Sequence, residues 1–370
     1  MLGAMRLPTL AIGEQFSCAL HDGGVYAWGA NGDGQLGVAG HEVRDRPVRV
    51  PGVSNVQSIV AARHHAGVLH VDGTVTCWGS NVFGRCTGVP SDVGHALPTR
   101  VAGVSNAVQL ALGEYHGCVL SRDGSVWCWG RNRDGELGDG RMVGDSHAAS
   151  AAVRVEPLGA ASFVAAFGSI TAAVVDGAVY LWGLGAYRLA NHGGSGGLPI
   201  APITADELPP RRIEGLSDVA SIALHRHHGF ALTHAGRVFG FGAAPVVYGL
   251  GNDRRQSQPG TWEAFEVVGL GDVVQVATGA GHACVRLADG TVRCWGADPS
   301  MSGAGIRGDG THGYQLEPSV LSLAADEVAA GSDHLLARVG DRIVAWGSGW
   351  SGQLGHGSTQ SSAVPVPVVF

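Results

Sequence analysis

Short apolar segments recur along the whole chain, and polar turns rich in glycine separate them. One unit, residues 108–138, reads VQLALGEYHGCVLSRDGSVWCWGRNRDGELG. Its first apolar run ends at Gly113, and a second strand leads through the Asp123-Gly124 turn into a third strand that ends at Trp129. Alternating apolar and polar positions predict β-strands, and an Asp-Gly turn between two of them predicts a hairpin. We find no long helical periodicity, so the pattern predicts an all-β fold.

A Trp-Gly pair, replaced once by Phe-Gly, marks each repetition of this unit. The first residues of the seven pairs are Trp28, Trp78, Trp129, Trp182, Phe241, Trp295 and Trp346. Their spacing ranges from 50 residues (Trp28 to Trp78) to 59 residues (Trp182 to Phe241). Repeats of this length are typical of β-propellers, in which each repeat forms one blade. The sequence therefore predicts a single domain, residues 1–370, of seven blades centred on these positions.

Each blade is predicted to have four antiparallel strands. The fourth strand contains proline, as in Arg46-Pro47-Val48. Proline has no backbone N–H to donate to a neighbouring strand, so it is tolerated mainly in edge strands. This strand should therefore be the outermost one. By the same logic the C-terminal segment, residues 364–369, should be the outer strand of the blade that holds Trp346, which would close the ring.

The phrases GxxH, DGxVxxWG and NxxGQLG resemble the repeat of the regulator of chromosome condensation family over essentially the whole chain. Clear copies are GANGDGQLG at residues 29–37 and WGSGWSGQLGHG at residues 346–357. The resemblance implies a seven-bladed propeller of four-stranded antiparallel blades. It does not by itself assign a function, because propellers of this type do unrelated jobs.

One face of the propeller is predicted to be the binding face. In an antiparallel blade, the connections from the first to the second strand and from the third to the fourth strand lie on the same face. Departures from the repeat period fall on this face, at residues 186–212, 243–262 and 297–317. Insertions that a repeat protein tolerates on one face often mark its binding surface.

Histidines are concentrated at the Gly-x-x-His position, which we expect to lie at the mouth of the central channel. The repeat supplies His65, His116, His228, His282 and His334, and for these we favour a structural role that ties the turn to backbone. The repeat does not require His64, His225 or His227. These three should lie near Glu14, Glu114, Tyr115 and Asp333. The predicted binding residues are Arg63, His64, His65, Tyr115, His116, His225, Arg226, His227, His228, His282 and His334.

Two interpretations of the surplus histidines remain open. His64, His225, His227 and Asp333 are suitable ligands for zinc, copper or iron, and imidazoles can also act as acid or base. Under the other interpretation no cofactor is required, and the polar mouth recognises a partner by hydrogen bonds.

Two cysteine pairs occupy matching places on blade hairpins. Cys118 faces Cys128 and Cys284 faces Cys294, so cross-strand disulfides are geometrically feasible. Reduced, buried cysteines are an equally reasonable interpretation. The sequence predicts no mate within the blade for Cys18, Cys77 and Cys86. We predict a cytoplasmic protein, or a secreted one if the two pairs are disulfides.

The overall charge narrows the partner class. The formal charge is −7 and the isoelectric point is near 6.2, without a basic patch or tail, so we do not expect binding to nucleic acid. No apolar run reaches the roughly 18 residues that span a bilayer, and the start lacks the pattern of a signal peptide. We therefore predict a monomer that binds a protein or peptide and no membrane.

The resemblance brings the activities of three family members into consideration. Chromatin docking by the member that gives the family its name involves a basic tail, which is missing here. Guanine-nucleotide exchange on a small GTPase, the other activity of that member, stays a less favoured alternative, because no residue pattern singles it out. Light sensing in a plant ultraviolet-B photoreceptor uses a Gly-Trp-Arg-His-Thr repeat, which is also missing. A secreted bacterial member inhibits β-lactamase through its loop face, and this is the analogy that we favour. We predict a recognition scaffold, with an enzyme that uses a His-bound metal or a His acid/base as the alternative.

Overall fold

The computed structural model describes residues 7–89, 94–141, 148–183, 209–226, 228–242, 264–297 and 305–370. Within these residues, 28 β-strands form seven sheets of four consecutive strands, each paired antiparallel with its neighbours. The predicted all-β fold, a seven-bladed propeller of four-stranded antiparallel blades, is confirmed.

Blades 1 to 4 take the chain to Arg212. Blade 1 contains β1 (Leu10–Ile12), β2 (Phe16–His21), β3 (Gly24–Gly29) and β4 (Arg44–Arg49). Blade 2 contains β5 (Val56–Ala61), β6 (His65–His70), β7 (Val75–Ser80) and β8 (His95–Arg100). Blade 3 contains β9 (Ala107–Leu112), β10 (His116–Ser121), β11 (Val126–Arg131) and β12 (Ala148–Arg154). Blade 4 contains β13 (Ala161–Phe167), β14 (Ile170–Val175), β15 (Ala178–Trp182) and β16 (Arg211–Arg212).

Blades 5 to 7 complete the ring. Blade 5 contains β17 (Val219–Leu224), β18 (His228–Thr233), β19 (Val238–Gly242) and β20 (Phe265–Glu266). Blade 6 contains β21 (Val273–Thr278), β22 (His282–Leu287), β23 (Thr291–Ala297) and β24 (Tyr314–Ala324). Blade 7 contains β25 (Glu327–Ala330), β26 (His334–Val339), β27 (Arg342–Gly347) and β28 (Ser362–Pro367). One 3₁₀ turn, Val82–Gly84, follows β7.

The order of strands within a blade follows the chain, from the innermost first strand to the outermost fourth strand. Pro47 lies in β4, an edge strand, as predicted. The C-terminal β28 pairs with β27, with Ala345 opposite Val366, so the predicted ring closure is also confirmed. Val368 continues into a buried cluster with Trp28, which joins blade 7 to blade 1.

The Trp-Gly residues connect neighbouring blades. Six of the repeated indoles are fully buried: Trp28, Trp78, Trp129, Trp182, Trp295 and Trp346. We define the rim loop as the connection between the third and fourth strands. Trp129 Nε1 donates to the carbonyl oxygen of Arg85 in the rim loop of blade 2, at 3.0 Å. Trp28 Nε1 likewise donates to Gln353 of blade 7 at 2.8 Å. Trp78, Trp182 and Trp346 make the same kind of bond, so these indoles fill apolar space and satisfy their only donor across a blade boundary.

A glycine in the rim loop makes this approach possible. Gly138 has φ +65°, and a Cβ there would lie 2.7 Å from Nε1 of Trp182. Gly355 has φ +67° and the same relation to Trp28. Both the left-handed conformation and the close indole exclude a side chain at this place.

Three disulfides lie within blades. Cys118 pairs with Cys128, and Cys284 with Cys294, as directly opposed residues with Cα atoms 4.1 Å apart. The third bond joins Cys77 to Cys86, so the prediction that these two lack a mate in their blade is wrong. Cys18 is buried and free.

The reason for the third pair is the fold of the rim loop. Cys86 occupies the position of Leu36 and Leu137, whose side chains turn back into the core of their own blade. In blade 1 Leu36 belongs to the same buried cluster as Ala27, the counterpart of Cys77. Cys86 therefore meets a residue of the third strand, which pairing between neighbouring strands alone does not reveal.

In the part of the chain that the structure describes, no helix has both the length and the hydropathy needed to cross a bilayer.

Candidate functional site

The connection between the first and second strands of each blade is a tight turn, here called the mouth turn. Its first residue donates its backbone N–H to the carbonyl oxygen three residues later, as from Gly113 to His116 at 2.9 Å. The same bond joins Gly331 to His334, and Ala62 to His65. The two residues between these ends lie at the tip of the turn. Because the blades form a ring, the seven tips together surround one end of the central channel, here called the mouth.

The histidine that ends a mouth turn lies beneath the mouth, not on its surface. His65, His116, His228, His282 and His334 are all fully buried. His116 Nε2 lies 2.8 Å from the hydroxyl of Thr171 in the next blade, and His334 Nε2 lies 2.9 Å from that of Ser17. These bonds connect blades through side-chain hydroxyls, whereas the sequence predicts a tie to backbone.

Burial determines the charge of these rings. Loss of solvation lowers the pKa of His116 to about 3, with a smaller contribution from Arg131. Burial lowers the pKa of His334 to about 3 in the same way, with His282 adding to the effect. His116 and His334 are therefore neutral at neutral pH, and each connects its blade to the next one through a hydroxyl.

The first tip residues of blades 1, 2 and 3 alternate in charge and form an ion-pair chain. Arg63 Nε donates to Glu14 Oε2 at 2.6 Å, and Arg63 Nη1 donates to Glu114 Oε1 at 2.8 Å. Burial alone would raise the pKa of Glu114, but hydrogen bonds from Arg63 and Tyr115 outweigh it and lower that pKa. The hydrogen bonds to the two carboxylates raise the pKa of Arg63. Arg63 and Glu114 are thus held in their charged forms, and the ion-pair chain spans three blades.

His64 extends this chain toward the rim. Its Nδ1 lies 3.1 Å from Asp33 Oδ2 in the rim loop of blade 1, and its Nε2 lies 3.7 Å from Glu14 Oε2. The structure thus places His64 beside Glu14 as predicted, and it adds Asp33, which the sequence does not single out. The position of Asp33 immediately before the rim-loop glycine of blade 1 is the sequence signal for this contact. This rim loop reaches the mouth turn of blade 2.

Tyr115 forms a second polar and aromatic group at the mouth. The Arg131 guanidinium carbon lies 4.0 Å from the centre of its ring, and that of Arg85 lies 5.0 Å away. Phe83 contacts the same ring edge-on, with the two ring centres 6.1 Å apart. Burial, together with the hydrogen bond to Glu114, raises the pKa of Tyr115. Cation–π contacts of this kind hold a half-buried ring in one orientation.

Arg85 explains why the blade 2 loop differs from its counterparts. In blade 1 the side chain of Gln35 accepts the backbone N–H of Asp33 at 2.8 Å. Arg85 occupies the position of Gln35 and has no acceptor. Phe83 there adopts φ +62°, and Arg85 Nη1 instead donates to the carbonyl oxygen of Glu114 at 2.7 Å. The substitution thereby connects the blade 2 loop to the mouth turn of blade 3.

The opposite side of the mouth is different. His225 is buried against Phe167, with ring centres 4.3 Å apart, and Arg226 is exposed. Ala280 and Ser332 hold the tip positions in blades 6 and 7, and Asp333 follows at the second tip position. His227 lies outside the described residues, as do residues 186–208, 243–262 and 298–304 of the three predicted insertions.

The described members of the predicted metal site, which are His64, His225 and Asp333, do not form a metal-binding cluster. Among the described residues, no group of three or more His, Cys, Asp or Glu side chains has the arrangement to hold a metal ion. His64 pairs with carboxylates of blade 1, whereas His225 packs on an aromatic ring of blade 4.

Beneath the mouth, the channel opens into a cavity of about 670 Å³. The first strands of the blades line it, and Glu14, Arg63, Glu114 and Arg226 lie at its edge. A second cavity, of about 640 Å³, lies on the opposite face beside Trp127.

Comparison with known proteins agrees with the repeat family predicted from the sequence. Models of the regulator of chromosome condensation (RCC1) repeat match residues 22–69, 341–370, 107–136 and 273–300. The chain is 29% identical to the ultraviolet-B receptor UVR8 of Arabidopsis thaliana, over 96% of this chain and 80% of that protein. It is 28% identical to the human E3 ubiquitin-protein ligase HERC2 over 91% of this chain, but this covers only 7% of HERC2.

Solved structures share the fold at lower identity. Human WBSCR16 superposes with a TM-score of 0.77 at 19% identity, covering 97% of this chain and 94% of that one. Yeast RCC1 (Prp20), in a crystal structure bound to Kap60, gives 0.78 at 21% identity, covering 99% and 85%. At these identities the likeness concerns the fold.

Proposed function

The chain is a β-propeller that belongs to the regulator of chromosome condensation repeat family, and on this premise we propose that it is a recognition scaffold. Its partner is a protein or peptide that contacts the mouth. The observation that carries this proposal is the group of charged and aromatic tips in blades 1 to 3. Glu14, Arg63, Glu114 and Tyr115 come from three blades, yet they form one connected surface. The family fold does not require these residue types at the tips.

A rim-loop residue of blade 7 supports the same face. Trp350 is 68% exposed, and its neighbour Ser351 contacts Gln15 in the mouth turn of blade 1, with 3.4 Å between the side-chain oxygens. Exposed tryptophans and arginines are over-represented among residues that dominate protein–protein binding energy. The repeat pattern does not predict a tryptophan at this position, where blades 1 and 3 have Gly32 and Arg133, and this departure from the repeat is the signal in the sequence.

The cavity on the opposite face offers less to a partner. Asp123 accepts hydrogen bonds from the backbone and the hydroxyl of Ser125, at 3.0 and 2.6 Å. Trp127 Nε1 in turn donates to the Ser125 hydroxyl at 3.0 Å. These polar groups are engaged within their own hairpin, which favours the mouth as the recognition surface.

The partner protein of yeast RCC1 (Prp20) named above is Kap60, and a second structure of Prp20p is described together with its binding to Gsp1p and histones. These relatives support protein recognition as the general role of our chain. We do not assign it any of these partners, and nucleotide exchange on a small GTPase is the narrower alternative.

A site-specific cross-linking experiment tests the proposed face. A photoreactive amino acid is placed at Tyr115 or at Trp350, with Arg122 on the opposite face as the matched control position. We expect the same protein to be cross-linked from the first two positions and not from the third. That partner, once purified, should bind the wild-type chain and lose roughly tenfold or more in affinity with Arg63→Glu. Equal cross-linking at Arg122, or unchanged affinity of Arg63→Glu, would contradict the proposal.

We also propose that the chain works in an oxidising compartment. The three disulfides support this alternative over the cytoplasmic one, because such bonds persist mainly outside the reducing cytosol. Titration of the denatured, unreduced protein purified from its source should find one reactive thiol, that of Cys18, among seven cysteines. Seven reactive thiols would instead support a cytoplasmic location.

A further inference from the structure

The wall of the channel cavity is apolar below its charged edge. Ile12, Val60 and Phe167 line it and remain partly exposed although they lie on or next to the innermost strands. Small side chains, including Ala61 and Ala165, line it as well. A cavity of about 670 Å³ that combines such apolar side chains with a polar edge lies within the usual range for small-molecule sites.

Polar groups deeper in the wall are already engaged. Gln109 donates to the carbonyl oxygen of Val164 and accepts its N–H, both at 3.0 Å. The hydroxyl of Thr278 lies 2.7 Å from Nε2 of His228. A ligand in the lumen would therefore meet mainly apolar surface at this depth, and its polar group would remain near the mouth.

The two arginines at the edge of the cavity differ in what they can still bind. Arg63 is neutralised on both sides by Glu14 and Glu114. Arg226 is exposed, and no hydrogen bond or ion pair joins it to another described residue. Its charge acts on Glu114 at longer range, where it contributes to the lowered pKa. Among the described residues, the Arg226 guanidinium therefore has no hydrogen-bonding partner, and it lies at the edge of the cavity.

We propose that the channel binds a small amphipathic organic acid, with its apolar body in the lumen and its carboxylate on Arg226. A planar guanidinium can hold a carboxylate through two parallel hydrogen bonds, which gives both orientation and affinity. The apolar wall gains from burial of the hydrocarbon. This site uses the lumen and the blade 5 tip, whereas the protein-binding surface proposed above uses the tips of blades 1 to 3, which border the same cavity.

Calorimetry with three probes tests both halves of the site. We expect decanoate, below its micelle concentration, to bind in a one-to-one ratio. Decan-1-ol has the same chain without the charge and should bind roughly tenfold or more weakly, because it lacks the charge-assisted pair. Acetate has the charge without the chain and should give no measurable heat. Equal binding of decanoate and decan-1-ol, or no binding of decanoate, would overturn the proposal.

Variants identify the residues. Arg226→Gln should weaken the binding of decanoate by roughly tenfold and leave the binding of decan-1-ol unchanged. The affinity of Arg226→Lys for decanoate should fall between those of Arg226→Gln and the wild type. Ala165→Trp should fill the lumen and abolish both. Arg100→Gln, an exposed arginine on the outer strand of blade 2, is the matched control and should bind as the wild type does. The proposal fails if Arg226→Gln and Arg100→Gln bind decanoate equally, with thermal melts showing both variants folded. Loss of partner binding without loss of decanoate binding, or the reverse, would separate this site from the recognition surface.

Discussion

The two sides of the channel mouth have the same backbone and different side chains. On the side of blades 1 to 3, the first tip residues are Glu14, Arg63 and Glu114, and they are linked by short ion pairs. On the side of blades 6 and 7, the same positions hold Ala280 and Ser332. The mouth turn is closed by the same backbone hydrogen bond on both sides.

The difference shows where the repeat constrains the chain. Beneath both sides lie a buried histidine and a buried tryptophan, and the indoles of Trp129 and Trp346 donate to the rim loop of the preceding blade in the same way. These positions cannot vary without a loss of packing. The tips face the mouth and are not constrained by packing in this way, so their side chains can differ from blade to blade. A difference in chemistry on a shared backbone therefore points to function.

The largest expected effect tests the shared layer. Trp129→Ala, on the charged side, and Trp346→Ala, on the small-residue side, should each lower the free energy of unfolding by about 3–5 kcal/mol. Each change removes a fully buried indole and its bond to a rim-loop carbonyl. Urea denaturation measures the loss. If Trp129→Ala unfolded at the same urea concentration as the wild type, the packing role would be wrong.

The disulfides should also contribute alike on the two sides. Replacing Cys118 and Cys128 by alanine, or Cys284 and Cys294, should cost about 2–3 kcal/mol in each case, because both pairs close loops of the same sequence separation. Thermal melts of the two double variants, without reductant, provide the comparison. In excess reductant the wild type should approach the double variants. A wild type that melts identically with and without reductant would show that these bonds contribute nothing to stability.

A smaller effect concerns pH. The buried rings of His116 and His334 are neutral in the folded state down to about pH 3, whereas in the unfolded chain they gain a proton below about pH 6.5. Acid therefore favours the unfolded state, and stability should fall as the pH decreases from about 6.5 to 3. Each ring contributes up to about 1.4 kcal/mol per pH unit within this window.

Variants isolate that contribution from those of the carboxylates. His116→Gln and His334→Gln should each reduce the pH dependence of the unfolding free energy by up to one proton, as measured by urea unfolding at pH 7, 5.5 and 4.5. An unchanged slope in both variants would mean that these rings are protonated in the folded protein.

At the mouth itself the effect on stability should be small. Arg63→Ala breaks two partly exposed ion pairs and should cost about 1 kcal/mol or less. Ala280→Ser, at the equivalent tip of blade 6, should change neither stability nor partner binding. The two variants should differ in their affinity for the partner: Arg63→Ala should weaken partner binding and Ala280→Ser should not, while both variants remain folded. Equal binding by the two variants would remove the distinction between the two sides.

The metal hypothesis predicts a different result at the same surface. If His64, His225, His227 and Asp333 hold zinc, copper or iron, the purified protein should contain about one metal ion per chain, and His64→Ala should lose it. A recognition scaffold should keep its partner affinity in the presence of EDTA. Elemental analysis before and after chelation, combined with the binding assay, distinguishes the two.

The architecture could be read from the sequence because it depends on period and burial. Seven Trp-Gly pairs, the Asp-Gly hairpins and the proline of β4 predict blades, their strand order and the closure by residues 364–369. The pair Cys118 and Cys128 follows from the register of neighbouring strands. The bond from Cys77 to Cys86 does not, because it depends on how a loop turns back over its blade.

The sequence by itself determined which residues belong to the mouth turns, since the repeat fixes their place in every blade. It did not determine which of them are exposed. Only the tertiary structure shows that His116 and His334 point under the mouth to a hydroxyl of the next blade, whereas Arg63 stays at the surface between two carboxylates. The physical reason is that these contacts join different blades. About fifty residues separate His116 and Arg63 from their partners, and 317 residues separate His334 from Ser17. The distance between such residues is set by how the blades pack around the axis, and no local pattern records it.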